Sequence, residues 1–173
     1  FKVAEKLRAS GWSLVPLAVD NYYHDLARQP RDLHGDYDYE TPQAIELELV
    51  ARHLAELLEG RTVEVPTYDF KLGRRTDKTH PLRVGPRQII LIDSLHGMYE
   101  GMTGHIDAER KLGLYIETLA QLKDSAGAFI RWTDLRLLRR MVRDGQFRNH
   151  NPRQTLLHWH YVRRSELRHI TPR

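Results

Sequence analysis

At 173 residues, with 40% hydrophobic and 29% charged residues, the chain has material for one compact, soluble domain (residues 1–173). It holds no cysteine, which excludes disulfides and thiolate metal sites and suits a reducing, cytoplasmic setting. It has no apolar run of the ~18 residues a spanning helix needs, and lysine, glutamate and arginine interrupt its opening as they do in no signal peptide. The net charge of +4 is uneven: residues 131–173 carry eleven arginines, no lysine and three acids (Asp134, Asp144 and Glu166), so this stretch stands at +8 and the rest at −4.

In chain order, "FKVAEKLRASG" has apolar residues at 1, 3, 4 and 7 and a glycine stop, the pattern of a helix's last turns. No N-cap precedes Phe1, so the chain is expected to begin inside an element. "WSLVPLAV" predicts a buried strand that ends at Asp20. Residues 21–41, polar and rich in Asp and Tyr, predict a long loop of the kind that carries function. Pro42 to Glu59 predicts a helix with proline near its first position and Gly60 as its stop. "VEVPTYDFKLGRR" (63–75) is less regular: a proline stops a β-rich run, Asp69 stands between two rings, and Lys71, Arg74, Arg75 and Lys78 follow. "RQIILID" predicts a core strand of a parallel sheet ending in Asp93. "LGLYIETL" is ambiguous, its neighbours favouring strand. "TDLRLLRRMVRD" predicts a helix capped by Thr133 or Asp134, and "NPRQTLLHWHYVRRSEL" a second with Pro152 at its first position. The pair His158 and His160 would diverge on a strand or a helix, which argues against a metal site.

Helices alternating with apolar strands predict an α/β fold with a largely parallel sheet. In such sheets ligands sit outside the carboxyl ends of the strands, where Asp20 and Asp93 both fall. Either acid alone could simply cap the next turn; two of them, each beside an irregular loop, point to a site.

"LAVDNYYHD", "YETPQAIELELVARHLAELLEGRTVEVPTYDF", "QIILIDSLHGM" and "TDLRLLRRMVRDGQFR" resemble, in order and spacing, the uridine kinase / phosphoribulokinase family of P-loop kinases, and the C-terminal "LLHWHYVRRSELRHITP" is similar to a bacterial uridine kinase-like branch. The resemblance implies a P-loop NTPase-like sheet with flanking helices and an Arg-rich helical lid near 134–152. It implies transfer of the γ-phosphoryl of ATP, with Mg²⁺, to a hydroxyl of a nucleoside or related sugar. Asp20 would be the catalytic base and Asp93 the metal ligand. Tyr23, Glu40, Tyr68 and Asp69 would line the acceptor pocket, with Asp69 meeting sugar hydroxyls or ordering its loop. Arg140, Arg143 and Arg148 would hold the triphosphate, and the basic residues after Phe70 would balance phosphate charge. A homo-oligomer is possible within the family.

The sequence departs from the family in three places. The Gly-rich Walker A loop should immediately precede "FKVAEKL", so it and the first strand are expected upstream of Phe1, and the chain as it stands is expected not to turn over ATP. Thr41 precedes Pro42 and Gly73 stands where pyrimidine nucleoside kinases carry a base-reaching histidine, which leaves room for a sugar-phosphate acceptor. His150 replaces one lid arginine. A rival from another class is a non-catalytic nucleic-acid-binding or regulatory module using the Arg-rich region. Its patterned amphipathic helices and shortage of stacking rings make nucleic acid the weaker partner.

Overall fold

The computed structural model describes residues 2–70, 72–116, 121–147 and 150–170. It divides into two compact units, Phe1–Gly113 and Leu114–Thr171. The first opens with α1 (Lys2–Ala9), which ends where Gly11 takes φ +77°. β1 (Ser13–Ala18) follows and pairs in parallel with β4 (Gln88–Asp93), from Ser13 opposite Gln88 to Ala18 opposite Asp93. Val15 and Leu17 of β1 point into the core, while Pro16 and Ala18 face outward. Ile90 and Ile92 of β4 pack on the same core, whereas Ile89 and Leu91 are 40% and 45% exposed. The expected core strand is therefore buried on one face only.

Residues 21–41 form the expected loop, with a 3₁₀ turn at Leu26–Arg28 and an isolated bridge between Arg31 and Tyr37. The next helix, α2 (Leu47–Leu58), begins later than the sequence predicts. Pro42 opens a separate 3₁₀ turn, Pro42–Ala44, after which Ile45 is extended (φ −103°, ψ 140°). The reason is local competition for hydrogen bonds. Ala44 O accepts from the N–H of His24 at 3.0 Å, Glu46 N–H donates to Tyr22 O at 2.9 Å, and Ile45 bridges Tyr23. Residues so engaged cannot join a helix. Once released, the chain winds with Val50, His53, Leu54 and Leu57 buried on one stripe. Gly60 (φ +77°) stops it as expected, with Arg61 N–H donating to Glu56 O at 2.9 Å.

β2 (Thr62–Asp69) and β3 (Arg74–Arg83) form an antiparallel hairpin with a register shift between Pro66 and Tyr68. Sequence reading did not anticipate β3. Its ten residues, RRTDKTHPLR, are charged and mostly exposed, so no period-2 apolar signal marks them; pairing with the apolar β2 creates the strand. The core gathers Leu17, Val19, Tyr22, Ile45, Val50, Leu54, Leu57, Val63, Val65 and Met102. Each such side chain contributes about 1.5–3 kcal/mol when fully buried. Met102 comes from a single-turn helix, α3 (Glu100–Thr103).

The expected strand over 112–119 does not form in its described part. Residues 112–116 carry no strand, and Leu112 is 93% exposed; an apolar run without a partner strand has nothing to satisfy its backbone. Residues 117–119 lie outside the described residues.

In the second unit, α4 (Trp132–Phe147) begins before the expected cap, because Asp134 N–H donates to Arg131 O at 3.0 Å and the Asp134 carboxylate is engaged by Arg131. α5 (Pro152–Ser165) has proline at its first position and a capping box: Asn151 Oδ1 accepts from Gln154 N–H, and Gln154 Oε1 from Asn151 N–H. A π turn, Glu166–Ile170, extends it. Among the described residues no helix is long and apolar enough to cross a membrane.

Candidate functional site

The parallel register decides where the two acids fall. Asp93 is the last residue of β4 and lies opposite Ala18, the last of β1. Asp20 follows two residues later, in the 3₁₀ turn Val19–Tyr22. Val19 and Tyr22 are fully buried, and these anchors leave Asp20 exposed at the carboxyl end of the pair, as Asp93 also is. The turn is also tied to the hairpin, since Asn21 Oδ1 accepts from Tyr68 N–H at 3.2 Å.

Tyr23, Tyr68 and Phe70 form one aromatic group. Ring centroids are 5.7 Å apart for Tyr23 and Tyr68, 6.2 Å for Tyr23 and Phe70, and 5.0 Å for Tyr68 and Phe70. Such tilted and edge-on pairs add about 0.5–1.5 kcal/mol each beyond area burial. Tyr68 is buried, which pushes its hydroxyl pKa up by desolvation, whereas Phe70 is exposed. Tyr23 Oη donates to Tyr39 O at 3.3 Å, linking the aromatic group to the segment that carries Glu40. Glu40 itself is half-buried, and its N–H donates to Asp38 Oδ1 at 3.3 Å. Asp69 Oδ1 accepts from Leu72 N–H at 3.0 Å. Gly73 takes φ +64° in the same turn, where the backbone demands a residue free of Cβ strain.

Arg75 departs from expectation: it does not remain available for phosphate. Its Nη1 meets Glu46 Oε2 at 2.5 Å, its Nη2 donates to Tyr22 O at 2.7 Å, and its N–H donates to Asp25 Oδ1 at 2.8 Å. Burial would raise the Glu46 carboxyl pKa, but the hydrogen bond and charge of Arg75 outweigh this and hold it below the ordinary 4.5. His24 and His53 are pushed below 6.5, chiefly by desolvation and then by Arg28 and Arg52 respectively. His53 Nδ1 shares a buried 2.9 Å hydrogen bond with Tyr22 Oη. None of these partners had a sequence signal, because Glu46, Tyr22 and Asp25 are brought to Arg75 from 29 to 53 residues away.

In the second unit, Arg140 and Arg143 share a helix face, and both reach one carboxylate. Arg140 Nε and Arg143 Nη2 each lie 3.3 Å from an oxygen of Asp144, which is 1% exposed. Thr155 donates its hydroxyl to the same group at 3.3 Å. Arg136 and Arg163 meet the buried Glu166, and both lie over the Trp132 ring at 5.5 Å. Arg148 and Lys71 lie outside the described residues.

The model of the phosphoribulokinase / uridine kinase family matches residues 4–173. The chain belongs to this family. It is similar to the uridine kinase of Halobacterium salinarum, with 33% identity over 133 residues, 76% of this chain and 50% of that protein. It is similar also to the uridine kinase of Chloroflexus aurantiacus, 30% over 125 residues (72% and 51%), and to that of Bacillus velezensis, 28% over 134 residues (78% and 55%). The chain spans about half the length of these curated relatives. Membership in the phosphoribulokinase / uridine kinase family agrees with the α/β fold, its parallel strand pair and its flanking helices. Mg²⁺ accepts one or two carboxylates and takes its other ligands from phosphate and water. The exposed Asp93 at the carboxyl end of β4 is a carboxylate of that kind.

Proposed function

We propose that the protein transfers the γ-phosphoryl group of ATP to a hydroxyl of a nucleoside, or secondarily of a related sugar or sugar phosphate. The observation that carries this reading is the pairing of Ala18 with Asp93, which sets Asp20 and Asp93 at one end of adjacent parallel strands. The family membership and the uridine kinase relatives support it.

Asp20 accepts the proton of the acceptor hydroxyl as its oxygen bonds to the γ-phosphorus and the bond to the β–γ bridging oxygen breaks. A carboxylate suits this, being ionised at neutral pH and able to hydrogen-bond and orient the attacking oxygen. Asp93 would hold Mg²⁺, which when bound neutralises phosphate charge. Tyr23 and Tyr68 offer faces for a planar or sugar group, with Glu40 and Asp69 as polar neighbours. Arg140, Arg143 and Arg148 would meet the phosphates of ATP, the first two pre-aligned by Asp144. The shortage of stacking rings in α5 of the Arg-rich stretch, beyond Trp159 and Tyr161, weighs against the nucleic-acid reading.

The test uses the product of the whole gene, with ATP, Mg²⁺ and a panel of nucleosides, sugars and sugar phosphates. Phosphorylation of a nucleoside supports the reading. Tight RNA binding in 0.2 M salt with no acceptor phosphorylated would replace it with the binding module.

A further inference from the structure

Arg75 is where the hairpin, the loop and the catalytic turn are fastened together. The 3₁₀ turn Val19–Tyr22 is four residues long and its N-terminus has no side-chain cap. The closing carbonyl, Tyr22 O, receives two donors from outside: Arg75 Nη2 at 2.7 Å and Glu46 N–H at 2.9 Å. That carbonyl stands between Asp20 and Tyr23 in the chain, so whatever fixes it fixes both. The same guanidinium grips Glu46, while the Arg75 backbone N–H takes Asp25 just beyond the turn. An arginine fork can address a carboxylate and a carbonyl in one plane; a lysine ammonium cannot span both with the same geometry.

We infer that Arg75 is a positioning residue for phosphoryl transfer, holding the turn that carries Asp20 and Tyr23 through the Tyr22 carbonyl. This rests on the kinase reading above. It assigns the two contacts of the guanidinium different roles: the Glu46 contact anchors the arginine, and the Tyr22 contact sets the geometry of the site. Small displacements of a catalytic group cost up to about 10²-fold in rate, which is the scale on which such a residue acts.

The experiment compares Arg75→Met, Arg75→Lys and Glu46→Gln in the whole-gene protein by amide hydrogen exchange, thermal melting and steady-state kinetics. Arg75→Met is expected to speed exchange at His24 and Glu46, with exchange in α4 and α5 unchanged. It should lower kcat/KM for the acceptor by about 10- to 10²-fold and leave KM for ATP within about twofold. Arg75→Lys should fall between Arg75→Met and wild type. Glu46→Gln keeps the Tyr22 contact, so it should lower the melting temperature by part of the loss in Arg75→Met yet change kcat/KM by only about threefold or less. Equal losses of kcat/KM in Glu46→Gln and Arg75→Met, in step with melting, would overturn the inference, as would unchanged exchange at the turn in Arg75→Met. A wild-type protein that phosphorylates no acceptor sinks the kinase reading instead, and exchange at the turn still decides whether Arg75 holds it.

Discussion

The two units differ in where their acids lie. In the first, the interior is Leu17, Val19, Val50, Leu54, Leu57, Val63 and Val65, with the acids Asp20 and Asp93 left exposed at its strand ends. In the second, Asp144, Thr155, Ser165 and Glu166 are buried along with Tyr161 and Val162, and the two acids among them each collect a pair of arginines. An apolar core can leave charges at its edge open to chemistry. Buried acids instead hold arginines in place, Asp144 taking Arg140 and Arg143 and Glu166 taking Arg136 and Arg163.

This contrast can be broken at several points. Leu54→Ala opens a cavity in the apolar core and should lower the unfolding free energy by about 3–5 kcal/mol. By hydrogen exchange that loss should be confined to the first unit and indifferent to salt; equal loosening of α4 and α5 would contradict it. Glu166→Ala leaves Arg136 and Arg163 without their shared carboxylate. With Arg136 37% exposed to solvent screening, the expected cost is about 3 kcal/mol, at the low end for breaking a buried pair. Exchange should rise in α5 and spare β1 and α2.

Tyr22→Phe removes the hydroxyl bonded to His53 and should cost about 1–3 kcal/mol by denaturant titration. The pH dependence has a definite sign. The folded-state pKa values of His53 and His24 lie below 6.5, so the unfolded chain takes up protons first. Stability present above pH 6.5 should fall as pH drops through the depressed values. Glu46, held below 4.5, should add a further loss in more acidic solution. A melting temperature that rises on acidification from pH 7 would contradict this. Gly60→Ala puts a Cβ at φ +77°, where the strain is in the backbone itself, and should cost about 1–2 kcal/mol.

The same contrast explains what was legible in the sequence. Apolar periodicity marked β1, β4 and the buried stripe of α2, and Gly60 and Pro152 marked ends whose backbone geometry only a few residues satisfy. The acids at the strand ends were legible because strand ends are. β3 was not, since its residues take their conformation from β2. The first turn of α2 was lost to hydrogen bonds with a segment some twenty residues earlier. Eleven arginines against three acids read as charge awaiting a ligand. The structure pairs Arg131, Arg136, Arg140, Arg143 and Arg163 with those three acids, a pairing that needs the fold to exist.

The most direct test of the account is turnover by Asp20→Asn in the whole-gene protein, with ATP affinity measured alongside. The change keeps the size of the side chain and removes its ability to take a proton. Turnover should fall by about 10²-fold or more while ATP binding stays near wild type. Near-normal turnover in this variant would contradict the assignment of the strand-end acid as the base.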